Sequence, residues 1–366
     1  MDQFGPSADL LTCAAEAAQS ARGLGEALDH PGADPRPLID ILQRNGLLVA
    51  ALPALEGGLD LGLVPQRNSL LAEVLMTIGR GSLPMGRLFE GHVNALDLIH
   101  RFGDGEQMRR AAADVREGCL FGVWATDDPS RPLRVTAEGR LEGRKILASG
   151  AGRLLRPLVT ATTEEGVRLI APRLRPGERS EVRSWTASGM QVSATGSVDF
   201  TGMMTREADR IGPPGCYQKE PYFTGGAWRF LAVQCGGVEE LVQLMRHHLR
   251  RLDRDGDPHQ RRRLGECMVA AETARLWVRK AALVYGSAEE ETVLAYVQLS
   301  RHAVERAALD VLERVQRSIG LQAFLRPSPV ERVARDLATY LRQPGPDRAL
   351  DNAAALAFAA EQAGWP

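Results

Sequence analysis

The sequence has no apolar run long enough to span a bilayer, and its first residues, MDQFGPSADLL, lack the basic flank of a secretory signal. The expectation is a soluble, cytoplasmic protein without a membrane partner. It also lacks charge of one sign. Lys and Arg number 45 against 46 Asp and Glu, a formal net charge of −1, so no global field draws the chain to nucleic acid or to an anionic lipid surface. Cysteine is sparse and odd in number, the five being Cys13, Cys119, Cys216, Cys235 and Cys267. They have no paired spacing, so neither a disulfide framework nor a zinc site is indicated, and reduced, mostly buried thiols are expected. Internal repeats and low-complexity tracts are missing as well.

What is present is enough apolar residue, 44% of 366 positions, to bury a sizeable core in two or three domains. From the start to about Gly118 the pattern is helical. Leu38 to Gly46 reads as an amphipathic helix stopped by Gly, Leu47 to Asp60 as a loop, and Leu70–Ile78 and Phe89–Arg101 as further helices. After Gly118 the apolar period shifts toward two. The runs Leu120–Trp124, Leu141–Ala148, Leu158–Ala161, Arg168–Ala171 and Ser197–Phe200 are separated by Gly, Pro, Asp and Glu turns, which predicts a small sandwich or barrel. From about Pro221 the chain is helical again, in four amphipathic stretches that fit a bundle, with Gly236 and Gly237 placed for close helix approach. The reading is therefore α+β and mostly α: an N-terminal helical domain over residues 1–118, a β domain over 119–213 and a four-helix bundle over 214–366.

The last long stretch, QRSIGLQAFLRPSPVERVARDLATYLRQPGPD from Gln316 to Asp347, carries a family resemblance. Gln316, Gly320, Pro329, Val330, Glu331, Arg332, Arg335 and Asp336 fall without a gap on the pattern of the FAD-dependent acyl-CoA dehydrogenases. Earlier segments agree in order. LLVAALPALEGGLDLG and RFGDGEQ resemble that family's N-terminal loop motifs, and GCLFG with WATDDP, GRKILASGAG, and VDFTGM with ADRIG resemble its β-domain motifs. The resemblance covers nearly the whole chain. It implies FAD as cofactor and a small-molecule substrate, an acyl-CoA or acyl-carrier thioester, with assembly as a homodimer or homotetramer through the bundle.

The resemblance also implies site residues. An isoalloxazine ring needs hydrogen-bond donors along its N5, O4 and O2 edge and a flat apolar wall. The matching positions are Trp124, Thr126, Asp127 and Ser149, while the family's aromatic wall falls on Leu147. A pyrophosphate needs cationic or backbone donors. Gln316 and Gly320 match the family's surface for it, Ile319 replaces the first Gly of its pair, and Arg254 stands near the family's arginine without the flanking Phe-Gly. The arginines around it, from Arg246 to Arg263, alternate with Asp253, Asp255 and Asp257, the composition of a solvated ion-pair surface and not of a nucleic-acid site.

Catalysis is where the sequence departs from the family. Removal of an α-proton requires a carboxylate. In the family's register that glutamate falls on Pro344, and the alternative position used by some relatives falls on Ala227 or Trp228. Asp347 and Asp351 follow closely but out of register. His92, ten residues before Phe102-Gly103, has a spacing similar to the active-site helix of flavin monooxygenases that share the fold, which makes it the candidate catalytic residue. Three readings follow: an acyl-CoA dehydrogenase-like flavin oxidoreductase without the usual base, a flavin-dependent monooxygenase, and a catalytically silent homologue that binds an acyl thioester or a partner. No metal site is expected.

Overall fold

The computed structural model describes residues 6–359. The first helices are α1 (Pro6–Leu24), α2 (Arg36–Arg44), the single turn α3 (Leu47–Ala50), α4 (Asn68–Gly81), α5 (Leu83–Phe102) and α6 (Gly105–Arg116). Local chemistry sets their ends. Ser82 caps α5 by accepting from the Met85 N–H at 3.2 Å, with Pro84 in the first turn. Asp104 and Gln107 form a reciprocal capping box on α6, and the Gln107 amide also donates to the Ala208 and Arg210 carbonyls. One capping residue thus fastens the helical layer to the β domain. The expected loop from Leu47 contains the short helix α3, which buries Leu47, Leu48 and Ala50.

The β region comprises β1 (Phe121–Trp124), β2 (Arg134–Val135), β3 (Arg140–Glu142), β4 (Arg144–Ala148), β5 (Arg156–Thr163), β6 (Gly166–Ile170), β7 (Ser180–Glu181), β8 (Gly196–Asp199), β9 (Met203–Met204) and β10 (Arg210–Ile211). Seven strands form one sheet in the order β10-β6-β5-β2-β3-β9, with β1 added parallel to β5. Three more form a second sheet, β4-β8-β7. The apolar run Leu141–Ala148 is therefore two strands in two sheets. Gly143 is the corner: its φ is +123°, and a Cβ there would lie 2.4 Å from the Pro132 carbonyl oxygen, so only glycine lets the chain cross over.

Helices resume with α7 (Tyr222–Gly225), α8 (Trp228–Arg251), α9 (Pro258–Val284), α10 (Glu290–Ile319), α11 (Pro329–Tyr340) and α12 (Pro346–Ala359). The expected four-helix bundle has a further member, because α12 packs along α10. Asp347 and Asp351 belong to this helix, whose buried contacts come from Ala349 and Ala353. Alanines carry a weak amphipathic signal, which explains why the sequence pattern did not mark it. Across the layers, α4 packs on α8 at glycine contacts: a Cβ on Gly236 would sit 2.2 Å from the Met76 carbonyl oxygen, and one on Gly79 would sit 2.3 Å from that of Val233. The two helical regions share one continuous apolar core, and the β domain is seated against α5 through β1. All five cysteines are unpaired and four are buried. Among the described residues no helix is long and apolar enough to cross a membrane, and no group of His, Cys, Asp and Glu is arranged to hold a metal ion.

Candidate functional site

A cavity of about 340 Å³ opens where α5 and β1 face the start of α8 and the segment that follows α11. Its α5 wall is made of Arg87, Glu90, Gly91 and Asn94, residues three or four apart that share one face of the helix. β1 adds Phe121, Gly122, Val123 and Trp124, and the end of β4 adds Ser149. Opposite stand Tyr217, the α7 residues Tyr222 and Phe223, Ala227 and Phe230 of the α8 region, Arg301 of α10, and Gln343 with Pro344. Gly91 leaves real space: a Cβ built on it meets nothing nearer than the Gly122 Cα at 4.0 Å. Gly91 thus presents bare backbone to the cavity, whereas the space beside Gly122 is filled by the Leu154 side chain, 2.3 Å from where a Cβ would lie.

A polar cluster lines this surface. Arg87 pairs with Glu90 one turn along α5, and its Nε donates to Ser149 Oγ at 3.2 Å. Thr195 Oγ1 donates to the same oxygen at 3.3 Å, which leaves the Ser149 O–H itself as a donor. The Ser149 carbonyl accepts from Trp124 Nε1 at 2.9 Å, so strand and loop hold each other in place. Burial works against the Arg87 charge, but the neighbouring Glu90 outweighs it and keeps the guanidinium protonated. Burial pushes the Tyr217 phenol up to about 12, with Arg87 pulling it down and Glu90 pushing it further up. The enclosed Tyr340 phenol is raised well above the ordinary range by burial and by Glu90, with Arg87 opposing. Glu90 is 5% exposed and is the one carboxylate in the lining.

The residues expected from sequence separate into three groups. Trp124 and Ser149 line the cavity. Thr126 lies beside them, exposed, because its carbonyl accepts from the Ile146 N–H at 3.0 Å and brings the exit of β1 to the end of β4. Leu147, at the family's aromatic position, is 57% exposed on the same edge with φ +53°.

Asp127 and His92 are engaged elsewhere. The Asp127 carboxylate accepts from Lys145 Nζ at 2.6 Å and from the Leu133 N–H at 3.0 Å. Lys145 is wholly buried and also donates to Thr160 Oγ1, so Asp127 serves to neutralise a buried ammonium and is not a donor to the cavity. The expectation for His92 is corrected too. The ring is fully buried between Phe89 and Phe121, Nε2 bonds the Leu48 carbonyl at 3.0 Å, and Nδ1 accepts from the Phe121 N–H at 3.1 Å. That pattern fixes a neutral ring protonated on Nε2, and burial lowers its pKa to about 4. His92 lies on a different face of α5 from the cavity stripe and pins α5 to α3 and β1.

Arg254, Gln316 and Gly320 do not reach the cavity within one protomer. Arg254 is exposed in the turn between α8 and α9, Gln316 lies in the last turn of α10, and Gly320 ends that helix with φ +74°. By contrast, Pro344 and Ala227, two positions at which the family's register places a catalytic carboxylate, both line the cavity. Trp228, the alternative to Ala227, is buried against Tyr285. Sequence reasoning missed Arg87, Glu90, Tyr217 and Arg301. The first two had a readable signal, since Arg87, Glu90, Gly91 and Asn94 recur at helical spacing along α5.

Comparison with known proteins places this architecture. Residues 217–350 match the family model described as acyl-CoA dehydrogenase, C-terminal domain. No curated protein matches by sequence. Among solved structures, dibenzothiophene monooxygenase TdsC from Paenibacillus sp. A11-2, also solved with FMN and indole, is 20% identical over 98% of each chain with a TM-score of 0.83. KijD3 in complex with dTDP is likewise 20% identical over 98% of both chains, TM-score 0.83. Butyryl-CoA dehydrogenase from Megasphaera elsdenii is 17% identical over 98% of this chain and 99% of its own, TM-score 0.79.

Proposed function

Because this chain has the acyl-CoA dehydrogenase fold and carries that family's C-terminal domain at residues 217–350, we propose that it is a flavin-dependent oxidoreductase of the monooxygenase type, acting on a small molecule in the cavity between α5 and α8. One observation carries the choice over acyl-CoA dehydrogenation: Ala227 and Pro344 line the cavity, and neither side chain can accept a proton. TdsC and KijD3, both solved with FMN, support a flavin cofactor.

The residues suit a flavin ring. Gly91 and Trp124 offer a wall for the ring, while the Ser149 hydroxyl and Arg87 offer donors where a reduced ring carries negative charge. When bound, the flavin supplies the redox chemistry. The protein's part is to orient the ring through Ser149 and Trp124, to exclude water with Phe121, Phe223 and Phe230, and to place the Glu90 carboxylate, paired with Arg87, beside the reacting space. FAD was expected from Gln316 and Gly320, which lie away from the cavity of their own protomer, so a dinucleotide would need them from a second copy, whereas FMN would not. The exposed apolar residues Val269, Leu276 and Leu283 recur every seven positions along α9 and favour such self-association.

Fluorescence titration with FMN and FAD tests the cofactor, with micromolar or tighter binding of one of them expected. Anaerobic mixing with saturated acyl-CoAs tests the chemistry. The flavin should stay oxidised, and rapid bleaching would restore the dehydrogenase reading with Glu90 as base.

A further inference from the structure

The cavity holds two arginines whose charges are met differently. Arg87 has Glu90 on its own helix. Arg301, reaching in from α10, has no carboxylate partner among the described residues: its Nη2 donates to the Pro344 carbonyl at 2.6 Å, and Glu305, one turn on, is occupied by Arg342 at 2.6 Å. A single carbonyl dipole does not neutralise a guanidinium, and most of its N–H donors remain unused. Its surroundings are apolar, with the Phe230 ring centroid 6.0 Å from its central carbon. Burial already pulls its pKa below the ordinary value, opposed by Glu305 alone. With Arg87 and Glu90 cancelling, the half-buried Arg301 is the one charge in the cavity lining without a carboxylate partner, and the rest of the lining includes Leu98, Phe121, Val123, Phe223 and Phe230.

We propose that the cavity takes a small ligand with an aromatic or apolar body and a single carboxylate, and that Arg301 selects it. The proposal rests on the cavity being the substrate site of the function proposed above. A carboxylate matches the guanidinium fork in geometry and in charge. A phosphate dianion would leave a surplus negative charge in an apolar space that already contains Glu90, and a neutral ligand would leave Arg301 uncompensated. The cavity, about 340 Å³, is at the lower end of the range of ligand sites and is shared with the flavin ring, which points to a compact molecule.

The test is calorimetry on the full flavin-free chain with benzoate against benzamide and indole-3-acetate against indole-3-acetamide, alongside separate FMN titrations. Each acid should bind at least about tenfold tighter than its amide, the scale of a charged hydrogen-bonded pair. Arg301→Gln should abolish that preference while leaving amide affinity and FMN affinity unchanged, and Arg301→Lys should keep part of it. Circular dichroism confirms that each variant is folded, and the Lys variant carries the test should the Gln variant fail to fold. Equal binding of acid and amide would overturn the proposal. So would a preference that survives Arg301→Gln, or an Arg301→Gln variant that loses FMN in place of the acid. Retained acid preference in a chain that binds no flavin would support this proposal and break the flavin reading instead.

Discussion

The two halves of α5 each carry a buried ion pair, and they are built to different ends. In the C-terminal half Asp97 is saturated: it accepts from Arg101 Nε at 2.8 Å, from Arg229 Nη2 at 2.8 Å and from the Tyr285 hydroxyl at 3.4 Å. Arg229 is 1% exposed, and although burial opposes its charge, Tyr285 and Asp97 hold it protonated. In the N-terminal half the Arg87–Glu90 pair borders open volume, with the Ser149 hydroxyl still able to donate. A cluster whose carboxylate is fully engaged joins helices. One that keeps donors and acceptors in reserve beside a cavity is arranged for something that arrives later.

The comparison can be broken by experiment, and the expected effects on the fold descend in size. Asp97→Ala should be the most damaging, on the order of 3–5 kcal/mol in urea unfolding, because it strands the Arg229 charge in the core; a loss under about 1 kcal/mol would show that the pair is not structural.

Next comes His92, whose pKa near 4 in the fold lies below the ordinary 6.5. The folded state then binds fewer protons than the unfolded one between those values, so the stability it contributes is complete above pH 6.5 and is lost as pH falls toward 4, on the order of 3 kcal/mol. Asp336, raised to about 6 mainly by burial, has the opposite sign: its contribution is present at low pH and is lost as pH rises from about 4 to 6. The two slopes offset each other in the parent chain. His92→Gln should therefore leave stability falling as pH rises through that window, and Asp336→Asn should leave it rising. Parallel curves for parent and variants would refute both assignments.

Glu90→Gln sharpens the other half of the comparison. It should change stability by about 1 kcal/mol or less while lowering turnover of the flavin-loaded protein on the order of 10²-fold, and a loss confined to stability would make Glu90 merely structural. Gly91→Leu should cost the fold least of all, since a helical glycine is replaced where space exists. Flavin or acid binding should nevertheless fall at least about tenfold, as the side chain occupies the cavity. Unchanged binding would move the site elsewhere.

Much of the scaffold was legible in the residues. The change of apolar period near Gly118 and again near Pro221 brackets the strands, which run from Phe121 to Ile211. Of the positions on which the family's register placed a glutamate, Pro344 and Ala227 line the cavity and Trp228 does not. What misled was a residue type taken without its face. His92 looked chemical by identity, yet it sits one position beyond Gly91 on a helix where 100° of rotation separates cavity from core. Asp127 looked like part of a flavin loop until Lys145, on the next sheet, claimed it.

The sequence by itself determined the order of helical and β regions and the Gly236–Gly237 pair that permits the contact of α4 with α8, because each is a property of one residue or one local period. Tertiary structure alone decided which charges are spent and which remain. Arg301 and Pro344 are 43 residues apart, and Arg87 and Ser149 are 62 apart. Only packing brings such partners together, and only burial turns an ordinary arginine into one that lacks its counter-charge.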